Sequence, residues 1–295
     1  MNDFPLFDYR LAGRSAGPVL LFLHGFFGDR REWDEIAPRF EQDCLCLTVD
    51  LPGHGQTRLA TGFENAAMPD VAAALLALLD LLEIRSCSLI GYSMGGRLAL
   101  QMAVLQPARF TSLVLESASP GMRSDQERRE RMAEDDRRAG QLLDIGLEAF
   151  LNQWYSQPMF QTLRANPAHL DALIRRRLDN DPGQLARALR VMSVGRQPSL
   201  WQQWSANRIP ALLVAGALDP KYGGIAAEMA GLCTAARLCV IDGCGHNVHY
   251  EDPQAYTEHM KRFLSVLLAP NDSAPTKEDV DGEMDSSGDL LGHQV

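Results

Sequence analysis

Short, almost uninterrupted apolar runs recur along the chain and alternate with longer stretches of helical period. The run 18–23 has no polar position, so a strand buried on both faces is expected there, and further strands are predicted at 44–49, 87–91 and 111–116. Residues 7–11 read as an early edge strand. Helices are predicted at 68–83 and 94–105, with a further one carrying Trp33 and Ile36 after the 18–23 strand. Strand and helix in alternation imply a parallel sheet with right-handed crossovers.

From Pro120 the pattern changes. Residues 120–208 contain no strand-like run but hold helical stretches at 124–143, 146–155, 167–178 and 183–192, broken by Gly140, Gly146, Pro158, Pro167 and Pro182. A single crossover needs far fewer residues, so an inserted helical cap is expected over 120–208, within a core built from 1–119 and 209–270. Sheet character resumes at 209–215 and near 236–241, with helices near 223–232 and over 253–268. The fold class expected is α/β: a mostly parallel sheet with helices on both faces and an inserted helical cap.

Charge divides along the same boundaries. The chain of 295 residues has a formal charge of −10, yet residues 271–295 alone contribute seven acidic side chains against one lysine, and their composition predicts a disordered acidic tail. Residues 120–208 hold 14 of the 28 basic residues, all arginine, against 11 acidic ones. Most of these arginines are expected on solvated helix faces in i,i+4 pairs such as Glu127 with Arg131, leaving a few for a pocket. No basic patch is interleaved with aromatics, so no nucleic-acid partner is expected. The first residues show neither a basic nor an apolar leader region, and the longest apolar run, 71–82, is too short for a bilayer. A cytoplasmic protein without a membrane partner is expected, as a monomer or weak homo-oligomer. The six cysteines form no C-x-x-C pair and read as free buried thiols.

The chemistry centres on Gly91-Tyr92-Ser93-Met94-Gly95-Gly96-Arg97, where an apolar run turns through glycines into a helix. This is the pattern of a nucleophile elbow: a serine on a tight strand-to-helix turn, flanked by residues without a Cβ to clash across it. A serine hydroxyl needs a histidine to take its proton, and the histidine needs an acceptor to fix its tautomer. Asp219 and His246 follow in the order Ser, Asp, His, each just past a predicted strand. Backbone N–H groups of Met94 and of Phe26, in the glycine-punctuated loop His24-Gly25-Phe26-Phe27-Gly28, are the expected oxyanion donors. Read without the other two, Asp219 is a turn aspartate and His246 a loop histidine. His54, between turn glycines, reads as a loop histidine bonded to backbone rather than as an acid or base. His246 and His249 lack the further ligands that a metal site needs, and neither metal nor cofactor is expected.

Through His24-Gly25, the segment Asp50-Leu51-Pro52-Gly53-His54-Gly55, the elbow and Gly245-His246, the chain resembles the α/β-hydrolase superfamily over nearly all of residues 1–268. More specifically, Gly91–Arg97, Trp154-Tyr155-Ser156-Gln157-Pro158, Asp219-Pro220-Lys221-Tyr222 and Gly245-His246-Asn247-Val248-His249 resemble the 2-succinyl-6-hydroxy-2,4-cyclohexadiene-1-carboxylate synthases of menaquinone biosynthesis. The resemblance implies a lyase that eliminates pyruvate from a cyclohexene carrying three carboxylates, with no hydrolysis. It implies Ser93, Asp219 and His246 as a triad that abstracts a ring proton, and Tyr92, Arg97, Arg131, Trp154 and Lys221 as residues that line or contact the anionic substrate. Arg97 has support of its own, because it lies one helical turn beyond Ser93 on the same face and its guanidinium suits a carboxylate; otherwise it forms a surface or interhelix salt bridge. A carboxylesterase or C–C bond hydrolase would share triad and cap, and a non-catalytic ligand-binding protein would keep the fold without turnover.

Overall fold

A computed structural model describes residues 6–59, 63 and 66–268. The expected acidic tail at 271–295 lies outside the described residues. Seven strands, β1 (Tyr9–Gly13), β2 (Val19–Leu23), β3 (Leu45–Val49), β4 (Cys87–Tyr92), β5 (Phe110–Glu116), β6 (Ala211–Gly216) and β7 (Ala236–Ile241), form one sheet in the order β1-β3-β2-β4-β5-β6-β7. All neighbours are parallel except β1, which runs antiparallel to β3. The early edge strand therefore exists, two residues later than the sequence suggests.

Helices α1 (Met68–Leu81), α2 (Met94–Leu105) and α9 (Pro220–Leu232) cover one face of the sheet, and α11 (Pro253–Leu268), preceded by the one-turn α10 (Val248–Glu251), covers the other. The expected helix around Trp33 and Ile36 is instead a pair of short 3-10 segments, Arg30–Trp33 and Ala37–Arg39. Asp29 caps the first through the Arg31 N–H, and Pro38 restarts the chain before the first can extend. Trp33 and Ile36 are still buried against α11.

Between β5 and β6 lie α3 (Asp125–Ile145), α4 (Leu147–Tyr155), α5 (Gln161–Arg164), α6 (Pro167–Arg177), α7 (Pro182–Val191) and α8 (Trp201–Ser205), with no strand among them. Three of these six starts are marked by a capping side chain. Ser124 and Glu127 form a reciprocal capping box on α3, Asn166 caps α6, and Asp181 caps α7, with proline in the first turn of the latter two. The expected pair of Glu127 with Arg131 does not form: Glu127 is committed to the cap, and Arg131 pairs one turn further on with Asp135. Much of this helical segment encloses an apolar cluster of its own, including Leu142, Phe150, Leu151, Phe160 and Leu189, into which Phe27 inserts from the loop after β2.

Strand order reverses between β2 and β4, since the chain runs outward to β3 and then returns to the opposite side of β2. Open α/β sheets bind ligands at such a point, outside the carboxyl ends of the strands.

Candidate active site

Ser93 occupies the turn between β4 and α2 at φ 49° and ψ −103°, a conformation that side chains rarely adopt. The turn survives because its neighbours are glycines. A Cβ on Gly95 would stand 2.1 Å from the Leu23 carbonyl oxygen, and one on Gly91 2.5 Å from the Gly95 oxygen. Ser93 is thereby lifted off the sheet with its hydroxyl clear of the backbone.

Asp219 follows β6 and caps α9: its Oδ1 accepts the Tyr222 N–H at 3.2 Å. Pro220 fits the first helical position, which explains why this helix begins three residues before the expected 223. The other carboxylate oxygen, Oδ2, accepts Nδ1–H of His246 at 2.7 Å, which leaves Nε2 to accept the Ser93 hydroxyl at 3.1 Å. His246 is fixed from behind by Ser117, whose hydroxyl donates to its carbonyl at 2.8 Å, and its ring is flanked by Tyr92, Phe160 and Tyr222. The three predicted residues thus form one relay from the buried Asp219 carboxylate to the half-buried Ser93 hydroxyl.

Met94 and Phe26 face the same space, and neither backbone N–H has an intramolecular acceptor among the described residues. Phe26 is held indirectly. His24 donates from Nδ1 to the Gly25 carbonyl at 2.7 Å and accepts the Leu51 N–H on Nε2 at 2.9 Å, while Glu32 accepts the Gly25 N–H at 3.1 Å. Burial lowers the His24 pKa, consistent with this neutral tautomer. His54 lies beside it, its Nδ1 donating to the Pro52 carbonyl at 3.2 Å, as a loop histidine should.

A cavity of about 160 Å³ opens over Ser93 between the sheet edge and the helices that follow β5. All five residues that the resemblance implies, Tyr92, Arg97, Arg131, Trp154 and Lys221, line it. Their circumstances differ. Tyr92 is buried between His246 and His249, and a Cβ on Gly25 would strike its ring at 2.4 Å. Trp154 packs against Phe26 and Phe27, with the Arg138 guanidinium over its face. Lys221 is exposed, its Nζ 5.3 Å from the Tyr222 ring, and has no carboxylate partner among the described residues. Arg131 donates from Nε to the buried Asp135 at 2.8 Å.

Arg97 is the unusual one. It is 9% exposed, donates from Nη1 to Gln197 Oε1 at 2.8 Å and from Nη2 to the Met192 carbonyl at 3.0 Å, and meets no carboxylate within ion-pairing distance among the described residues. Burial, and then the like charge of Arg131, lower its pKa to about 10. It remains a cation at neutral pH.

Sequence reasoning did not assign Tyr222, Arg138, Gln157 or Gln197 a role, although the first three line the cavity and Gln197 holds Arg97. Tyr222 alone had a local signal: three residues after a capping aspartate, it must start a helix beside the triad.

The described residues contain no group of three or more His, Cys, Asp or Glu placed to hold a metal, and no described helix is long and apolar enough to cross a membrane. The six cysteines are buried as free thiols.

Residues 18–253 match the α/β hydrolase fold family. The chain is 34% identical to the 2-succinyl-6-hydroxy-2,4-cyclohexadiene-1-carboxylate synthase of Salmonella agona strain SL483 over 256 residues, covering 87% of this chain and 97% of that protein. The structure of MenH from S. aureus superimposes with a TM-score of 0.82 at 34% identity, covering 88% of this chain and 98% of that one. A thermophilic esterase from Thermogutta terrifontis, solved with malate bound, superimposes with a TM-score of 0.80 at 22% identity over 90% of this chain and 94% of its own, a likeness of fold alone. The chain therefore belongs to the α/β-hydrolase fold family and, within it, to the family of the 2-succinyl-6-hydroxy-2,4-cyclohexadiene-1-carboxylate synthases.

Proposed function

We propose that the protein eliminates pyruvate from 2-succinyl-5-enolpyruvyl-6-hydroxy-3-cyclohexene-1-carboxylate, giving 2-succinyl-6-hydroxy-2,4-cyclohexadiene-1-carboxylate. One observation carries the reading. Arg97 is a buried cation held only by neutral acceptors, at the edge of a cavity that also contains the unpaired Lys221. A neutral ester has no use for such charges, whereas a tricarboxylate does.

The chemistry asked of the triad is proton abstraction. The ring proton at C2 lies next to the succinyl ketone and is the acidic one. Ser93, its own proton passed to His246, takes it; the C2–H electrons become a C2=C3 bond, the ring double bond moves to C4=C5, and the C5–O bond breaks. Enolpyruvate leaves and, on taking up a proton, becomes pyruvate. No water is consumed. Negative charge develops on the ketone oxygen during this step, and the free N–H groups of Phe26 and Met94 are the donors for it. Asp219 fixes the tautomer of His246 and stabilises its charged form. Tyr92, Arg131, Trp154 and Lys221 form the rest of the binding surface. The helical insertion acts as a cap, and the protein works in the cytoplasm on a small anionic substrate without metal or cofactor.

A coupled assay following pyruvate release from freshly prepared substrate tests the reading. Removing one partner of a desolvated charge pair costs about 2–5 kcal/mol, so Arg97→Ala should lose roughly thirty-fold to several-thousand-fold in kcat/KM. Arg97→Lys should recover little, because an ammonium cannot reproduce the planar fork. Any hydrolysis of p-nitrophenyl acetate should survive Arg97→Ala within about three-fold, since that ester offers no carboxylate to pair. Brisk ester hydrolysis, no pyruvate and indifference to Arg97→Ala would instead identify a carboxylesterase.

A further inference from the structure

The turn that follows α7 does more than close the cavity. Three residues within 192–197 reach the two arginines. The Met192 carbonyl and the Gln197 side-chain oxygen accept from Arg97, while the Ser193 hydroxyl donates to Asp135 at 2.7 Å, and Asp135 in turn holds Arg131. The turn is braced internally: the Gln197 N–H donates to the Ser193 carbonyl at 3.1 Å, and the Gly195 N–H to the Ser193 hydroxyl at 3.0 Å. Arg131 receives a carboxylate. Arg97, equally fixed, receives none.

Gln197 is fully buried, and while its Oε1 holds Arg97, its Nε2 has no partner among the described residues. An unsatisfied buried amide is costly. A glutamate of nearly the same volume would carry no orphaned N–H₂ and would make a buried ion pair with Arg97. Neither charge balance nor hydrogen-bond satisfaction accounts for the amide, so it calls for another cause. A guanidinium has five N–H donors, and Gln197 and Met192 occupy two. The direction of the group is thus fixed while its charge and its remaining donors stay available.

We infer that Gln197 is a positioning residue that aims Arg97 without neutralising it, and thereby sets the preference of the site for a substrate carboxylate at that point. The inference rests on reading the cavity as a tricarboxylate site.

Two near-isosteric changes separate this role from simple structural support. Gln197→Glu keeps the acceptor and the shape but supplies a competing carboxylate, so KM for pyruvate elimination should rise about tenfold or more, with kcat held within about three-fold. Gln197→Met keeps the volume but loses the acceptor, and its smaller rise in KM should reflect only a less well aimed Arg97. A purely structural Gln197 predicts the reverse order, with the glutamate variant the milder. Should Gln197→Glu fail to fold, Gln197→Asn tests the same point: the amide survives at shorter reach, so KM should rise while kcat holds.

A Gln197→Glu enzyme with wild-type KM, or one less impaired than Gln197→Met, would overturn the role of Gln197 alone. A folded Gln197→Asn enzyme that loses kcat with KM unmoved would do the same. Wild-type protein that releases no pyruvate would overturn the underlying reading instead.

Discussion

Two groups of cations lie close to the triad, and they are balanced in opposite ways. Beneath the loop after β2, Arg177 from α6 pairs with Glu32, Glu32 lies 3.8 Å from His249, and His249 donates to Glu116 at 2.7 Å: two cations against two carboxylates. Burial pushes the Glu32 carboxyl up, but Arg177 and His249 outweigh it and hold it well below its ordinary range. Across the cavity, Asp135 pairs with Arg131 alone, while Arg97 and Lys221 have no carboxylate partner among the described residues. The first group balances its own charge and fastens the helical insertion to the loop that presents Phe26. In the proposed function the second takes its remaining partner from the anionic substrate. A buried charge left without its partner is tolerated where a ligand supplies the partner, so under the proposed function the contrast separates framework from binding surface.

The largest break in this arrangement should come where both groups border the chemistry. Ser93→Ala and His246→Ala should each lower turnover by roughly 10³-fold or more, and the double variant should be little worse than either single one, because a relay that has lost one member has no function left to lose. Pyruvate release kinetics of the three variants decide it. Losses that multiply would show that the two residues act separately.

How much of this contrast is legible in the sequence depends on chain distance. The elbow is local: its glycines, the strand before it and the helix after it lie within about twenty residues, and helix 94–105 falls where its periodicity places it. Asp219 and His246 are legible because the fold puts every active loop at a strand's carboxyl end, so order along the chain stands in for position in space. Helical neighbours are only half legible. The spacing shows that Arg131 has acidic residues one turn away on either side, at 127 and 135, but which one it takes depends on the capping box that claims Glu127. The balanced group is not legible at all. Glu32 and Arg177 are 145 residues apart, and nothing local distinguishes Arg177 from its neighbours Arg175 and Arg176. Gln197 is hidden for the same reason, meeting Arg97 across 100 residues from an irregular turn.

Removing one cation from each group turns the comparison into a measurement of stability. Arg177→Met leaves Glu32 buried without its strongest partner and should destabilise the fold by about 3–5 kcal/mol. Arg97→Met strips a donor from two neutral acceptors only, and should cost no more than about 1–2 kcal/mol. The activities should run the other way in specificity: Arg97→Met should abolish most pyruvate release while the protein remains folded, whereas Arg177→Met, where still folded, should lose less activity than stability. Urea unfolding of the two variants beside the wild type gives both numbers, and equal losses would erase the distinction between a closed and an open group.

The smallest effect distinguishes the groups by pH without altering either arginine. Burial by itself would lower the His249 pKa, but Glu116 and Glu32 raise it from 6.5 to about 9. A group whose folded pKa lies above its unfolded value binds its proton more tightly when folded, so its contribution is whole below pH 6.5 and is lost as pH rises toward 9. The melting temperature should therefore decline across pH 6.5–9. In His249→Gln, which starts from lower stability, most of that slope should disappear. Arg97, at about 10, stays charged over the same interval. The ratio of KM between Arg97→Ala and wild type should accordingly stay flat from pH 6.5 to 8.5 while the wild-type melting temperature falls. A slope unchanged in His249→Gln would mean that the proton lost in this window sits elsewhere, and the group beneath the Phe26 loop could no longer be described as two cations balanced by two carboxylates.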